Sequence, residues 1–545
     1  MRGALAKLVL AANLVVAGFA QDNHLSPSGP IPMPVVPARL LERPVPLRTG
    51  IGSAHDEVTT SSPEAQRYYD QGLAYLHDYV WIEAARSFHQ AIRLDPDLAL
   101  AYAGLADAFI ELNQSAAAHR ALEEALALSP RVSQHERRHL TIRERQLVAG
   151  DAPHDISKLV AYRKAIDDGL AEFPSDVELW LQRGVAESPD PADRGQGGTA
   201  ASIRYYERAL AIVPDHFAAH HYLTHAYENA GRIDDALRHG AVYAKLAANV
   251  PHARHMYGHD LRRVGRIQDA IVEFEAADRL ETTYFANEGV RPEYDWHYEH
   301  NLDLLATSYQ YAGEVSKAEP LLARAFALPT ANLVQAVNKR EWPMFLRSRG
   351  RADEALAAAG SLVGHPNAVV QAIGHLETGQ ARMMKGQFRE AAQQANAALA
   401  AMKSAVAGSG LAALPLEELQ GELLLRTGEA AKGRAMLDAM IAKARALPGP
   451  DEWAQALFTL ESVARAARDA SDWEFAGRVA QQMLQHDPAY AGSHYALALV
   501  AEHKGDRRLA RAELLLAEKQ WSRADPGFPE LRDVRRRLGA DPDAR

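Results

Sequence analysis

Residues 63–96 read PEAQRYYDQGLAYLHDYVWIEAARSFHQAIRLDP, and residues 97–130 read DLALAYAGLADAFIELNQSAAAHRALEEALALSP. The first block carries Tyr68, Gly72, Tyr75, Ala84, Phe88, Ala91 and Pro96. The second carries Tyr102, Leu105, Ala106, Phe109, Ala118, Leu122, Ala125 and Pro130. Pro96 and Pro130 stand 34 residues apart, and the apolar and small positions between them keep step. The spacing within each block predicts two helices. Small residues let the two cross closely, aromatic residues fill the gap, and the proline ends the second helix.

The same period runs on along the chain. Trp180, Gly184, Tyr206, Ala209 and Pro214 form one copy, interrupted by SPDPADRGQGG, and Gly258, Ala270, Phe274 and Ala277 form another. Looser copies follow around Gly313, Gly350, Gly386 and Gly428, and clear ones close the array through Ala476 and Pro488 and then Ala498, Gly505 and Ala517. This pattern resembles the tetratricopeptide repeat, W-x2-L-G-x2-Y then A-x3-F then P over 34 residues. One such unit cannot bury its apolar face alone, so stacked units share a continuous core. The resemblance implies an all-α, right-handed α-solenoid of eleven or twelve units over 63–530, its concave wall lined by the first helix of each unit.

Composition agrees with an all-α chain: Phe, Trp and Tyr together make up 7% of it, and β-branched runs are almost absent. A net charge of −10 over 545 residues argues for solubility rather than a nucleic-acid partner. Residues 1–20 place Arg2 and Lys7 before an apolar run that closes on Gly18 and Ala20. That is the pattern of a secretory signal peptide, too short to remain as a membrane span. Residues 21–62 read as a proline-rich extended linker, and 531–545 as a C-terminal tail. The chain has no cysteine, which excludes disulfides, thiolate nucleophiles and thiolate metal sites. The expectation is an exported protein, periplasmic or secreted and soluble.

Histidine is concentrated at HFAAHHYLTH (216–225), and ten of the 23 histidines fall within 216–300. His221 and His225 recur one repeat later as His255 and His259, each 34 residues on. Histidines four apart share a helix face, and neighbouring helices pack ~8–10 Å apart. With His300 at the start of the next unit, His221, His225, His255, His259 and His300 form a candidate all-nitrogen metal site. His220, His252 and His297 stand as outer-shell or alternative ligands, and Glu228 as an orienting carboxylate. An imidazole set without thiolate favours Cu or Zn over Mg or Ca, with Fe admitted if Glu228 or Asp303 joins.

HHYLTH (220–225), HARHMYGHDLRRVG (252–265) and HN (300–301) also resemble the motifs HHxxxH, HxxHMxxHxxxRxG and HN of a group of exported bacterial tetratricopeptide-repeat proteins. TTSSPEAQRYYDQGLAYL (59–76) and WSRADPGFPEL (521–531) extend that likeness over most of the chain. The group has no settled activity. HERRH (135–139) matches the HExxH zinc-protease pattern, but Arg137 and Arg138 fill positions that are normally uncharged, so the segment reads as a solvated helix. No Walker, G-x-S-x-G or dinucleotide fingerprint is present, so no nucleotide cofactor is expected. Two functions remain open. One is a binding or scaffold module with a protein, peptide or small ligand in its groove and a histidine metal site. The other is a metal-dependent enzyme acting at the cluster.

Overall fold

A computed structural model describes residues 34–330, 332–405, 408–447 and 450–539. The signal-like residues 1–20, the start of the proline-rich stretch and residues 540–545 lie outside the described residues. Among the described residues twelve helical hairpins follow one another, from Pro63–His77 with Trp81–Leu94 to Ala491–His503 with Arg507–Gln520. No strand occurs among the described residues. The fold is an all-α solenoid of tetratricopeptide-like hairpins.

The repeat pattern has a steric cause. Phe88 lies between two helices that carry glycine where they cross it. A Cβ on Gly72 would come within 2.6 Å of its ring, and one on Gly104 within 2.4 Å. The pairs Gly184 with Tyr206 and Gly258 with Phe274 repeat this arrangement, at 2.3 and 2.8 Å. Tyr206 is fully buried and has nowhere to retreat. Gly184→Ala is therefore expected to destabilise the fourth and fifth hairpins by ~1–3 kcal/mol, read as a lowered midpoint in urea unfolding.

Within most hairpins one residue in the left-handed region makes the turn. Gly231, Gly265, Gly313 and Gly350 supply it at φ 71–77°, where a missing Cβ removes the penalty. In the first hairpin the residue at that position is Tyr79, at φ 61°. A tyrosine there is costly and is held by its surroundings.

The solenoid coils until its ends meet its middle. The Tyr311 hydroxyl donates to Asp487 at 2.8 Å, and the Asp525 amide donates to the Gly313 carbonyl at 3.0 Å. Arg349 pairs with Glu530 at 3.1 Å. At the other end, the turn after Pro63–His77 reaches the fifth to seventh hairpins. In the middle hairpins the polar faces of the first helices are buried, His221, His252, His255, His259 and His297 among them.

The proline-rich segment is extended from residue 34 apart from the short helix Ala38–Leu41, but it is not a free tether. Leu41, Val45, Ile51 and Val58 are buried, and Asn249 donates its amide to the Gly50 carbonyl at 2.8 Å. Buried Arg86 donates to the Pro44 carbonyl at 2.7 Å, and Gln71 to that of Pro46 at 3.1 Å. Carbonyls that a proline-rich strand cannot pair internally are thus satisfied by the first hairpin. The expected tail likewise begins inside a helix, Pro529–Gly539. Leu531 and Val534 of that helix cover the apolar end of the last hairpin, as a solenoid cap must.

Candidate metal centre

Three successive first helices, Phe217–Asn229, Pro251–Arg263 and Trp296–Ala312, carry the histidines to one place. Pro251 opens the second of them at a position that needs no amide donor. The Asp295 carboxylate caps the third by accepting from the His297 amide at 2.9 Å. Both starts fix which face looks inward.

His221, His225 and His252 form a first trio. The Nε2 atom of His221 lies 3.1 Å from that of His225 and 3.0 Å from that of His252. Three nitrogens on a tetrahedral ion with bonds of ~2.0–2.1 Å would sit ~3.3 Å apart, so a slight opening accommodates one. His221 Nδ1 is 2.7 Å from the His77 carbonyl, which can only accept. The proton therefore sits on Nδ1, and the Nε2 lone pair is turned to the other two rings.

His255, His259 and His300 form a second trio, with ligand atoms within 4.8 Å of one another. His255 Nδ1 donates to Asn301 Oδ1 at 2.9 Å, while Asn301 Nδ2 donates to the Phe274 carbonyl at 3.2 Å and so fixes the amide orientation. His255 Nε2 is left buried with no hydrogen-bond partner, and both nitrogens of His259 share that condition. Glu228 Oε1 stands 3.8 Å from His259 Nδ1, so this carboxylate addresses His259. Asn301→Ala removes the acceptor that orients His255 and is expected to weaken metal binding 10–100-fold in a competitive zinc titration.

His297 lies between the trios, its ring 5.0 Å from that of His252 and 4.4 Å from that of His255. Its Nδ1 is 2.5 Å from Glu281 Oε1, and its Nε2 is buried without a partner. Burial, reinforced for most of them by neighbouring imidazoles, holds His221, His252, His255, His259 and His297 well below the ordinary imidazole range. His225 is lowered to about 3. At neutral pH these rings present lone pairs, the form that binds a metal.

The first hairpin covers the first trio. The Tyr79 ring lies 4.6 Å from that of His221 and 5.0 Å from that of His252, and Tyr243 stacks on His221 at 4.5 Å. The Tyr243 hydroxyl donates to buried Asp78 at 2.9 Å, and Trp296 Nε1 donates to the Tyr79 carbonyl at 3.3 Å. The left-handed Tyr79 is thus held as a lid over the first trio.

Of the residues singled out by repeat spacing, His221 and His225 fall in one trio and His255, His259 and His300 in the other. His252, read as an outer-shell or alternative ligand, completes the first trio. It stands three residues before His255 on the same helix face, a signal that the 34-residue offset did not select. His220 turns away, its Nδ1 2.8 Å from that of His239 and its Nε2 3.2 Å from the Pro214 carbonyl. Asp303 is buried one turn past His300 and belongs to neither trio. The lid residues Asp78 and Tyr79 carried no sequence signal, because they are distant in the chain.

Fold and site together define a tetratricopeptide-like solenoid with a largely buried cluster of imidazoles, the histidine chamber, in its middle hairpins. No family model matches the chain, and no curated protein matches it. Among solved structures, human IFIT1, determined as a dimer with m7Gppp-AAAA, is similar at 12% identity and a TM-score of 0.40, over 78% of this chain and 90% of that one. Yeast Tom70 is similar at 12% identity and a TM-score of 0.33, over 87% and 95%. YrrB, described as a TPR protein with an unusual peptide-binding site, is similar at 16% identity and a TM-score of 0.26, over 36% and 93%. At such values these likenesses carry no argument about what this chain binds.

Proposed function

We propose that this chain is an exported solenoid protein whose middle hairpins hold transition-metal ions, Cu or Zn, one in each histidine trio. The observation that carries the reading is the gathering of buried, unpartnered imidazole nitrogens. Unpartnered buried nitrogens on His255, His259 and His297 lie in this cluster, beside a first trio whose Nε2 atoms close on His221 at 3.0 and 3.1 Å. A buried polar group without a partner costs ~1–3 kcal/mol, and several together call for a ligand that accepts their lone pairs. His252 and His255 lead different trios one helical turn apart, so two ions would sit on the order of 5 Å from each other.

Three imidazoles per ion leave a coordination position open. That count supports reactive metal over a saturated structural cage, and with it the reading of a metal-dependent enzyme. A bound ion of this kind supplies Lewis-acid or redox chemistry. The chain's own part is to fix the tautomers of His221 and His255 and to cover His221 and His252 with the rings of Tyr79 and Trp296. With Tyr79 packed on His221 and His252, a protein or peptide partner would dock away from the first trio.

Metal analysis of untagged protein tests the proposal. The two trios are expected to account for two equivalents, lost in His221→Ala/His255→Ala protein, and copper-loaded protein that cycles with ascorbate would show the open position in use. Protein that retains only trace metal after reconstitution, and binds none in competition with a weak chelator, sinks it.

A further inference from the structure

The HERRH segment has a use other than the one its pattern suggests. Its glutamate is not available as a base, because Glu136 accepts from the amides of Ser133 and Thr59, each at 2.9 Å, and closes a capping box. The two histidines converge, with Nε2 atoms 3.2 Å apart. Both face Asp176 Oδ2 at 2.7 Å. Asp176 spends its other oxygen as the cap of Val177–Val185, accepting from the Leu179 amide at 3.0 Å, so Oδ2 is free to serve the imidazoles.

A fourth group comes from the extended N-terminal segment. Asp56 Oδ1 lies 3.8 Å from His135 Nε2, and Asp56 Oδ2 is buried with no hydrogen-bond partner. The residue is only 8% exposed, and burial pushes its carboxyl up to about 6. That oxygen is satisfied by no donor from the chain, and a cation placed between Asp56 and the two imidazoles would satisfy it. One donor atom each from Asp56, His135 and His139 already lie within 4.8 Å of one another.

We propose that Asp56, His135, His139 and Asp176 form a second metal site, for a divalent ion of the zinc class, that clamps the N-terminal segment onto the third and fourth hairpins. Two imidazoles and two carboxylates make a complete tetrahedral set whose two negative charges balance the ion. The three parts joined here are far apart in sequence, so an ion would act as a cross-link. A cavity of ≈ 100 Å3 adjoins the site, lined on this side by Asp56, His139 and Arg143 and on its far wall by His77 and Tyr222. None of the seven chamber imidazoles lines it. His135 keeps 24% of its side chain exposed, so this ion exchanges with solvent more readily than those in the chamber.

Zinc titration of the full chain, with Asp56→Asn and His135→Gln/His139→Gln alongside, counts this site alone, whatever the chamber holds. The parent is expected to bind one equivalent more than the double variant, and Asp56→Asn to weaken that equivalent at least tenfold. Zinc is also expected to slow tryptic cleavage after Arg48 at least tenfold in the parent and not in Asp56→Asn. If the double variant does not fold, Asp56→Asn, which lies in the segment outside the hairpins, decides the matter. Equal zinc content in parent and variants, or cleavage after Arg48 that zinc leaves unchanged, overturns the clamp and leaves a proton-shared Asp–His network.

Discussion

His221→Ala/His255→Ala protein, purified without a tag and reconstituted with zinc or copper, loses both chamber ions and keeps its helicity. Each substitution removes the best-oriented ligand of its trio, the one whose Nδ1 proton is committed to the His77 carbonyl or to Asn301. Two imidazoles then remain in each trio. Loss of a direct ligand exceeds the 10–100-fold that outer partners cost, so each site weakens more than about 100-fold. Helicity survives because the repeat core rests on Ala, Leu and aromatic packing such as Phe274 against Gly258, which these changes leave intact. The single variants separate the trios: His221→Ala lowers the content by one equivalent, and so does His255→Ala. Double-variant protein that matches the parent in metal content would rule the chamber out as the site.

Tyr79→Ala opens the chamber. Its ring covers His221 and His252, and its hydroxyl donates to the Arg194 carbonyl at 2.8 Å. Truncating a buried aromatic side chain costs ~3–5 kcal/mol, here partly in the contact between the first hairpin and the middle ones. If metal leaves through the opened lid, a loss of ~3 kcal/mol speeds transfer to a chelator by about two orders of magnitude. Stopped-flow transfer of zinc to a chromogenic chelator measures this directly. Tyr79→Phe keeps the ring and loses only one hydrogen bond worth ~1 kcal/mol, so its rate rises less than about tenfold. Identical transfer rates for Ala, Phe and parent would show that metal leaves by another route.

The fold was legible because its cause is local. A 34-residue period of glycine and aromatic positions records each crossing of the Gly184–Tyr206 kind, and a short window of sequence contains both partners. The histidine rows were legible for the same reason, since residues four and 34 apart share a helix face and a wall. What closes the chamber was not. Tyr79, Asp78 and the extended segment at 48–58 reach the middle hairpins through superhelical coiling, and no spacing in the chain encodes that contact. The place of His252 among the alternative ligands turns on a narrower point. Repeat phase favoured residues with a copy one unit away, whereas ligand geometry favours any imidazole on the inward face, with or without a copy. The HERRH segment, set aside in the sequence as a solvated helix, buries Glu136 in a capping box, a use that its neighbours Arg137 and Arg138 did not signal.

Anomalous diffraction at the metal edge, from crystals of the untagged protein grown with copper or zinc, tests the central claim most directly. Two peaks are expected in the chamber, one within about 2 Å of the ring nitrogens of His221, His225 and His252 and one equally near those of His255, His259 and His300. Full-length protein whose chamber shows no anomalous peak, with metal confined to surface histidines such as His55, contradicts it.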